Sequence, residues 1–124
     1  MGFSCVVWGN ESLLVHCAEM ARARGNTIVA VVTDSAEVRR WAEAAGLRVE
    51  SPGQDLAARL PGDFDWLLSI ANLSIIPDDV LALPAKGAVN FHDGPLPRHA
   101  GLNAPIWALI EDETRHGITW HLIE

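Results

Sequence analysis

Short apolar runs alternate with amphipathic segments along almost the whole chain, and this alternation constrains the fold more than any other feature. The runs "FSCVVW", "TIVAVVT", "FDWLLSI", "GAVNF" and "HGITWHLIE" have the length and composition of buried strands. Between them lie segments with apolar residues at helical spacing, of which "ESLLVHCAEMARARG" and "SAEVRRWAEAAG" are the clearest. Because buried strands separated by helices are typical of α/β proteins, the pattern predicts a parallel sheet with helices on both faces.

Shorter segments complete the predicted order of elements. The stretch "LRVE" is a candidate edge strand, and "GQDLAARLP", "PDDVLALP" and "APIWALIED" are candidate short helices. Ser35 is placed to cap the start of the second long helix, and Gly46 is placed to end it. Since the sequence contains neither an internal repeat nor a linker, we expect one domain over residues 1–124.

The charge balance narrows the classes of partner. Lys and Arg number 9 against 16 Asp and Glu, which gives a formal net charge of −7. A protein that neutralises phosphates carries the opposite bias, so nucleic acid is not expected as a main partner. No apolar run reaches the length of a membrane span, and the start "MGFSCVVWGN" lacks the basic region of a signal peptide. We therefore expect a cytoplasmic protein without membrane contact.

Several spacings that mark metal or nucleophile sites do not occur in the sequence. The five histidines include no HxxxH or HExxH pair and neither cysteine belongs to a CxxC, so no metal site is expected. The sequence also lacks GxSxG, GxGxxG and P-loop motifs. Cys5 and Cys17 lie in apolar runs, which favours buried reduced thiols over a catalytic or redox role.

Three polar loops follow predicted strands, at the edge where parallel sheets bind ligands. They are "GNES", "ANLSII" and "NFHDGPLPRHAG". The first comprises Gly9, Asn10, Glu11 and Ser12 and leads into a helix, whose N-terminal amides favour contact with a substrate or an anion. The same residues are typical of a tight turn with a helix cap, which is the favoured interpretation, and substrate contact is the alternative.

Asn90 and His92 form the most specific of these signals. Residues two apart on a strand point to the same side, so an amide and an imidazole would face one spot at the carboxyl end of "GAVNF". Such a pair suits acyl-type transfer, in which the amide stabilises a developing oxyanion while the imidazole donates to it or moves a proton. The alternatives are a histidine that caps a local carbonyl and an Asx turn before the Gly-Pro loop.

Together, "ANLSIIP", "GAVNFHDGPLPRHAGLNAPIWAL" and "HGITWHLIE" resemble the N-terminal catalytic domain of the N10-formyltetrahydrofolate-dependent formyltransferase family. The shared pattern is Asn-x-His, Leu-Pro, a Gly, an apolar helix and Gly-hydrophobic-Thr-x-His. The resemblance covers essentially the whole chain and implies a Rossmann-like sheet, parallel with a mixed edge. Many members have Pro-Ser-Leu-Leu-Pro where this chain has "DGPLP" at 93–97, which looks closer to versions fused to nonribosomal peptide synthetases or polyketide assembly lines.

The resemblance also implies roles for individual residues. Asn90 and His92 would be two members of a catalytic Asn–His–Asp set, and Leu96–Pro97 would be a cis peptide. A pterin pocket would be lined by Leu73, Ser74, Ile75 and Ile76, with His121 near it, and the substrate side would be bordered by Gly9, Asn10, Glu11 and Ser12. The implied co-substrate is N10-formyltetrahydrofolate. The implied acceptor is a small-molecule or carrier-bound primary amine, such as an aminoacyl group in secondary metabolism.

The sequence departs from the family pattern at its end. The catalytic Asp of the family follows the "GITWH" strand in an Asp-x-Gly loop, and this sequence stops at Glu124 before such a motif. We expect either a fragment of a longer formyltransferase or a shortened domain that lacks the last strands of the family fold. In the second case the chain would be an inactive docking module at the N-terminus of an assembly-line enzyme, in contact with downstream synthetase domains or with a second copy of itself.

Overall fold

Strands and helices alternate regularly through residues 2–72 and 74–91, which are the residues that the computed structural model describes. The strands are β1 (Ser4–Trp8), β2 (Thr27–Val32), β3 (Val49–Glu50), β4 (Trp66–Ile70) and β5 (Gly87–Phe91). The helices are α1 (Ser12–Ala23), α2 (Ala36–Ala44), α3 (Leu56–Arg59) and α4 (Asp78–Leu81). Each of these elements falls within a segment for which the sequence predicts that type of structure.

The strands form one sheet in the order β3-β2-β1-β4-β5, and every neighbouring pair is parallel. The predicted α/β fold with a parallel, Rossmann-like sheet is thereby confirmed. The chain proceeds from β1 outward to β3 on one side and from β4 to β5 on the other, so the strand order reverses between β1 and β4. The predicted helix "APIWALIED", the final strand and the mixed edge lie outside the described residues.

Helices cover both faces of the sheet, as the sequence predicts. On the first face, α1 packs Leu14, Cys17, Ala18 and Ala21 against the sheet, a spacing that places them on one side of a helix. α2 adds Val38 and Ala42 to the same core cluster. On the second face, Leu56 of α3 and Val80 of α4 pack against the sheet with Trp8 and Leu67.

The predicted ends of α2 are also confirmed, and each has a local cause. The Ser35 hydroxyl accepts a hydrogen bond from the Val38 N–H at 3.2 Å, which satisfies one of the free amides in the first turn. Beyond the other end of α2, Gly46 has a φ of +76°, which residues with a side chain rarely adopt.

A network of charged side chains holds β3 at the margin of the sheet. The Glu50 carboxylate accepts hydrogen bonds from Arg48 Nε at 3.1 Å and from Arg59 Nη1 at 3.0 Å. Burial acts to raise the pKa of Glu50, but the hydrogen bonds and charges of the two arginines outweigh it and leave this pKa below its ordinary value. The network therefore ties β3 to α3 across a loop.

Candidate functional site

Gly9 lies where the strand order reverses, and the space around it excludes a side chain. A Cβ added at Gly9 would lie 2.3 Å from the carbonyl oxygen of Ile70, at the end of β4. The Gly9 N–H also donates to the Val32 carbonyl at 3.1 Å. The carboxyl ends of three strands are thus drawn together at this residue, which gives Gly9 a structural role in addition to the substrate contact that stays a prediction.

Asn10 joins two loops at this edge. Its Oδ1 accepts hydrogen bonds from the Thr33 hydroxyl at 2.9 Å and from the Asp34 N–H at 2.7 Å. Thr33 is fully buried, and its Oγ1 accepts from the Ser35 N–H at 3.0 Å. The segment from Thr33 to the start of α2 is therefore held to Asn10 by a continuous set of hydrogen bonds. The side-chain oxygen of Asn10 is already engaged in this set.

Glu11 and Ser12 are exposed at the start of α1. Glu11 is the N-cap residue, but its side chain makes no capping hydrogen bond, and no acidic residue lies in the first turn. The predicted helix does begin here, at Ser12, but the predicted helix cap is wrong, because no side chain among the described residues caps its first turn. Contact of these two residues with a substrate stays a prediction.

Asn90 lies in a row of residues that crosses the sheet near its carboxyl edge. The strand register pairs Trp8 with Ser69 and Ser69 with Asn90. Asn90 is half-buried and alternates with Val89, which packs on the first face. Because successive side chains point to opposite faces, Asn90 shares the second face with Trp8 and Ala88. The described geometry thus places its amide at the edge where a parallel sheet binds ligands.

The loop after β4 begins directly beside the end of β5, since Ile70 pairs with Phe91. Ala71 has a φ of +50°, a left-handed conformation that costs a residue with a side chain about 1–2 kcal/mol. Asn72 then accepts a hydrogen bond from the Ser74 N–H at 3.0 Å and donates to the Ser74 carbonyl at 3.3 Å. Strained backbone and local side-chain bonds thus shape the loop that, by the family resemblance, would line a pterin pocket.

Two isoleucines of this loop have opposite environments. Ile76 is 9% exposed and packs in the core of the second face, whereas Ile75 is 93% exposed. Within the described part of the chain, the peptide groups of neither isoleucine form hydrogen bonds. An exposed apolar side chain, together with peptide groups that have no hydrogen bond among the described residues, suits contact with a flat heterocycle that has polar edges.

The structure does not describe Leu73, His92, His121 or the Leu96–Pro97 peptide, which lie at residue 73 and within 92–124. Their roles stay predictions. Across residues 2–72 and 74–91, no group of three or more His, Cys, Asp or Glu side chains is arranged to hold a metal ion. The helices described there include none long and apolar enough to cross a membrane.

Both cysteines are buried, as the sequence predicts. Cys5 is fully buried in β1 and Cys17 is 2% exposed in α1. Burial raises the pKa of each thiol to about 12, and the charge of Asp65 adds to the effect at Cys5. Since the thiolate is the reactive form, neither residue is suited to nucleophilic or redox chemistry.

Two residues of this edge were missed by sequence reasoning. In the sequence, Thr33 is only the last residue of the apolar run "TIVAVVT", and Ser69 is only one residue of the apolar run "FDWLLSI". A polar residue at the carboxyl end of an otherwise apolar strand is the signal that would have identified both.

Comparison with known proteins identifies the family. Residues 61–124, just over half of the chain, match the formyl transferase family, and this segment contains Asn90 and Ser74–Ile76. The GDP-perosamine N-formyltransferase of Brucella melitensis biotype 1 is 36% identical over 62 residues, which are 50% of this chain and 24% of that protein.

Two methionyl-tRNA formyltransferases match over most of this chain. That of Synechococcus sp. (strain CC9605) is 31% identical, covering 90% of this chain and 38% of its own length. That of Geobacter metallireducens is 29% identical, covering 95% and 43%. The chain thus spans less than half the length of these relatives, and it belongs to the formyl transferase family.

Proposed function

We propose that this chain carries the donor site and part of the catalytic site of an enzyme that transfers a formyl group from N10-formyltetrahydrofolate to a primary amine. Family membership supports formyl transfer as the class of reaction. The folate donor and the amine acceptor are the parts that we add. The observation that carries the proposal is the half-buried Asn90 amide at the carboxyl edge of β5, directly beside the loop that follows β4.

Asn90 would stabilise the charge that develops during the transfer. When the amine nitrogen attacks the formyl carbon, the formyl oxygen gains negative charge. The bond from carbon to N10 then breaks, and the proton that the amine loses passes to N10 as that nitrogen leaves. The Nδ2 of Asn90 can donate a hydrogen bond to that oxygen, an interaction whose loss typically costs about 3 kcal/mol of barrier. We assign movement of the amine proton to His92 on the basis of the Asn-x-His motif.

The residues after β4 fit a folate as donor. Bound there, the folate supplies an activated formyl group. The exposed Ile75 offers an apolar contact to the pterin ring. The peptide groups of Ile75 and Ile76, which form no hydrogen bond with the described residues, can donate to and accept from its polar edge. Leu73 and His121 would complete this pocket.

We further propose an aminoacyl or related amine in secondary metabolism as acceptor, bordered by Gly9–Ser12. The support is the "DGPLP" sequence at 93–97, which resembles domains fused to peptide synthetases. The names of the relatives point to two different acceptors, GDP-perosamine and methionyl-tRNA, so the family alone does not fix the acceptor. Docking to downstream synthetase domains, or pairing of two copies, belongs to the alternative in which the chain is an inactive module.

Titration of the chain with a stable folate analogue, followed by calorimetry, tests the donor site. We expect saturable heat that is weakened by Ile75→Asp, because the charge would oppose the pterin contact. The control is Ala44→Asp, at an exposed position of α2 away from this loop. If the unmodified chain releases no heat, the folate proposal is refuted for this chain and the inactive docking module is favoured.

Measurement of turnover by the protein tests the catalytic assignment. We expect Asn90→Asp to lower kcat about 100-fold, since the donor is replaced by an acceptor of equal size, while the folate affinity changes little. His92→Ala should also lower kcat strongly. Unchanged turnover in either variant would refute the role of that residue.

A further inference from the structure

An open groove of about 380 Å³ separates α1 from α2 on the outside of the first face. One stripe of α1 lines it with residues three or four positions apart, namely Ser12, Val15, His16 and Glu19. From α2 come Glu37, Val38 and Trp41. The groove lies apart from Asn90 and from the loop after β4, and among the residues considered for formyl transfer it includes only Ser12.

A fixed aromatic side chain forms one wall of the groove. The Trp41 indole is half-buried, and its Nε1 donates to Glu19 Oε2 at 2.7 Å. Because this bond joins α2 to α1 and satisfies the indole N–H, the ring is held in place. The part of the Trp41 ring that can interact with a ligand is its π surface, which attracts cations.

The charge along the groove favours a cation. Glu37 and Glu19 both line it, and neither Lys nor Arg is among the described residues that do so. The Glu19 carboxylate already has two partners: it accepts from the Trp41 indole and lies 3.6 Å from Nη1 of Arg22. The Glu37 carboxylate makes no ion pair or side-chain hydrogen bond within the part of the chain that the structure describes, so its charge is available to a ligand.

We propose that this groove binds a small organic cation, an alkylguanidinium or alkylammonium compound. Its charged head lies between the Trp41 ring and the Glu37 carboxylate, and its apolar stem lies on the half-buried Val15. The volume is in the range of small-molecule sites, which favours a free ligand over an extended protein surface. The site is independent of formyl transfer and stands whether or not the chain binds folate.

The indole N–H of Trp41 provides a direct reporter, because its NMR signal can be assigned by comparison with Trp41→Phe. We expect butylguanidinium chloride, added at constant ionic strength, to shift this signal in a saturable manner. Neutral butylurea, which has nearly the same shape, should shift it much less. Glu37→Gln should weaken binding about fivefold, as expected for the loss of one exposed charge interaction. Glu43→Gln, on an exposed position of α2 outside the groove, should leave the affinity unchanged.

Several outcomes would overturn the proposal. Equal shifts with butylurea would show that the groove is only an apolar surface. An affinity in Glu37→Gln equal to that of the unmodified chain would remove the charged contact on which the assignment depends. Saturable binding by an arginine-rich peptide, with no response to butylguanidinium, would replace the small ligand with a protein partner.

Discussion

At Gly9 the available space, and not the backbone conformation, selects the residue. We predict that Gly9→Ala lowers the free energy of unfolding by about 2 kcal/mol, because the new methyl group would lie 2.3 Å from the Ile70 carbonyl oxygen and β1 and β4 would have to separate. Urea denaturation provides the measurement. Gly62→Ala is the control, since among the described residues, other than its two chain neighbours, none has an atom within 4 Å of the added Cβ, and no loss is expected. Equal stability of the two variants would mean that this edge of the sheet adjusts easily.

Substitutions at Asn10 test its structural role as a hydrogen-bond acceptor, separately from its proposed substrate contact. We predict that Asn10→Ala costs about 1–2 kcal/mol of stability, since the buried Thr33 hydroxyl and the Asp34 N–H lose their common acceptor. Asn10→Asp keeps an oxygen in that place and should retain most of the stability. Thermal unfolding of both variants distinguishes them, and an equal loss in both would argue against the acceptor role.

At the scale of elements, β3 depends on the ion pairs of Glu50. The two arginines lower the pKa of Glu50 in the folded protein from its ordinary value of 4.5. The stabilisation is therefore present above the unfolded pKa and is lost as the pH falls through the lower folded pKa. We predict that Glu50→Gln costs about 1 kcal/mol near neutral pH and that the cost disappears in strong acid.

Urea denaturation at a series of pH values measures this dependence. The partly exposed arginines keep the expected magnitude small, because solvent screens such pairs. Glu43→Gln is the matched control and should show no pH-dependent difference. A cost for Glu50→Gln that persisted below the folded pKa would point to packing in place of charge.

Elements with a clear periodicity could be predicted from the sequence, while pairings between distant segments could not. α2 was predicted with its cap because Ser35 and the spacing of Val38 and Ala42 are local signals. The Thr33–Asn10 bond and the Glu50 network join residues whose proximity depends on strand order, which local periodicity does not contain. For the site, the motif predicted Asn90 at the end of a strand, but only the register revealed Ser69 beside it.

At the scale of the whole molecule, the two thiols report on opening of the core. Cys5 and Cys17 belong to the same core cluster, and burial raises the pKa of both to about 12. We predict that iodoacetamide labels both at equal rates, which follow the global free energy of unfolding as urea is added. Mass spectrometry of Cys5→Ala and Cys17→Ala assigns the rates. Rapid labelling of Cys17 alone in the native protein would instead indicate local opening of α1.

The brevity of β3 has a consequence for encounters between copies of this chain. Only two residues form this outer strand, and the Arg48 and Arg59 side chains lie beside it. A strand from another molecule would find few backbone groups to pair with and would have to displace charged side chains. Amyloid-like growth is therefore disfavoured along this margin, even in concentrated solution.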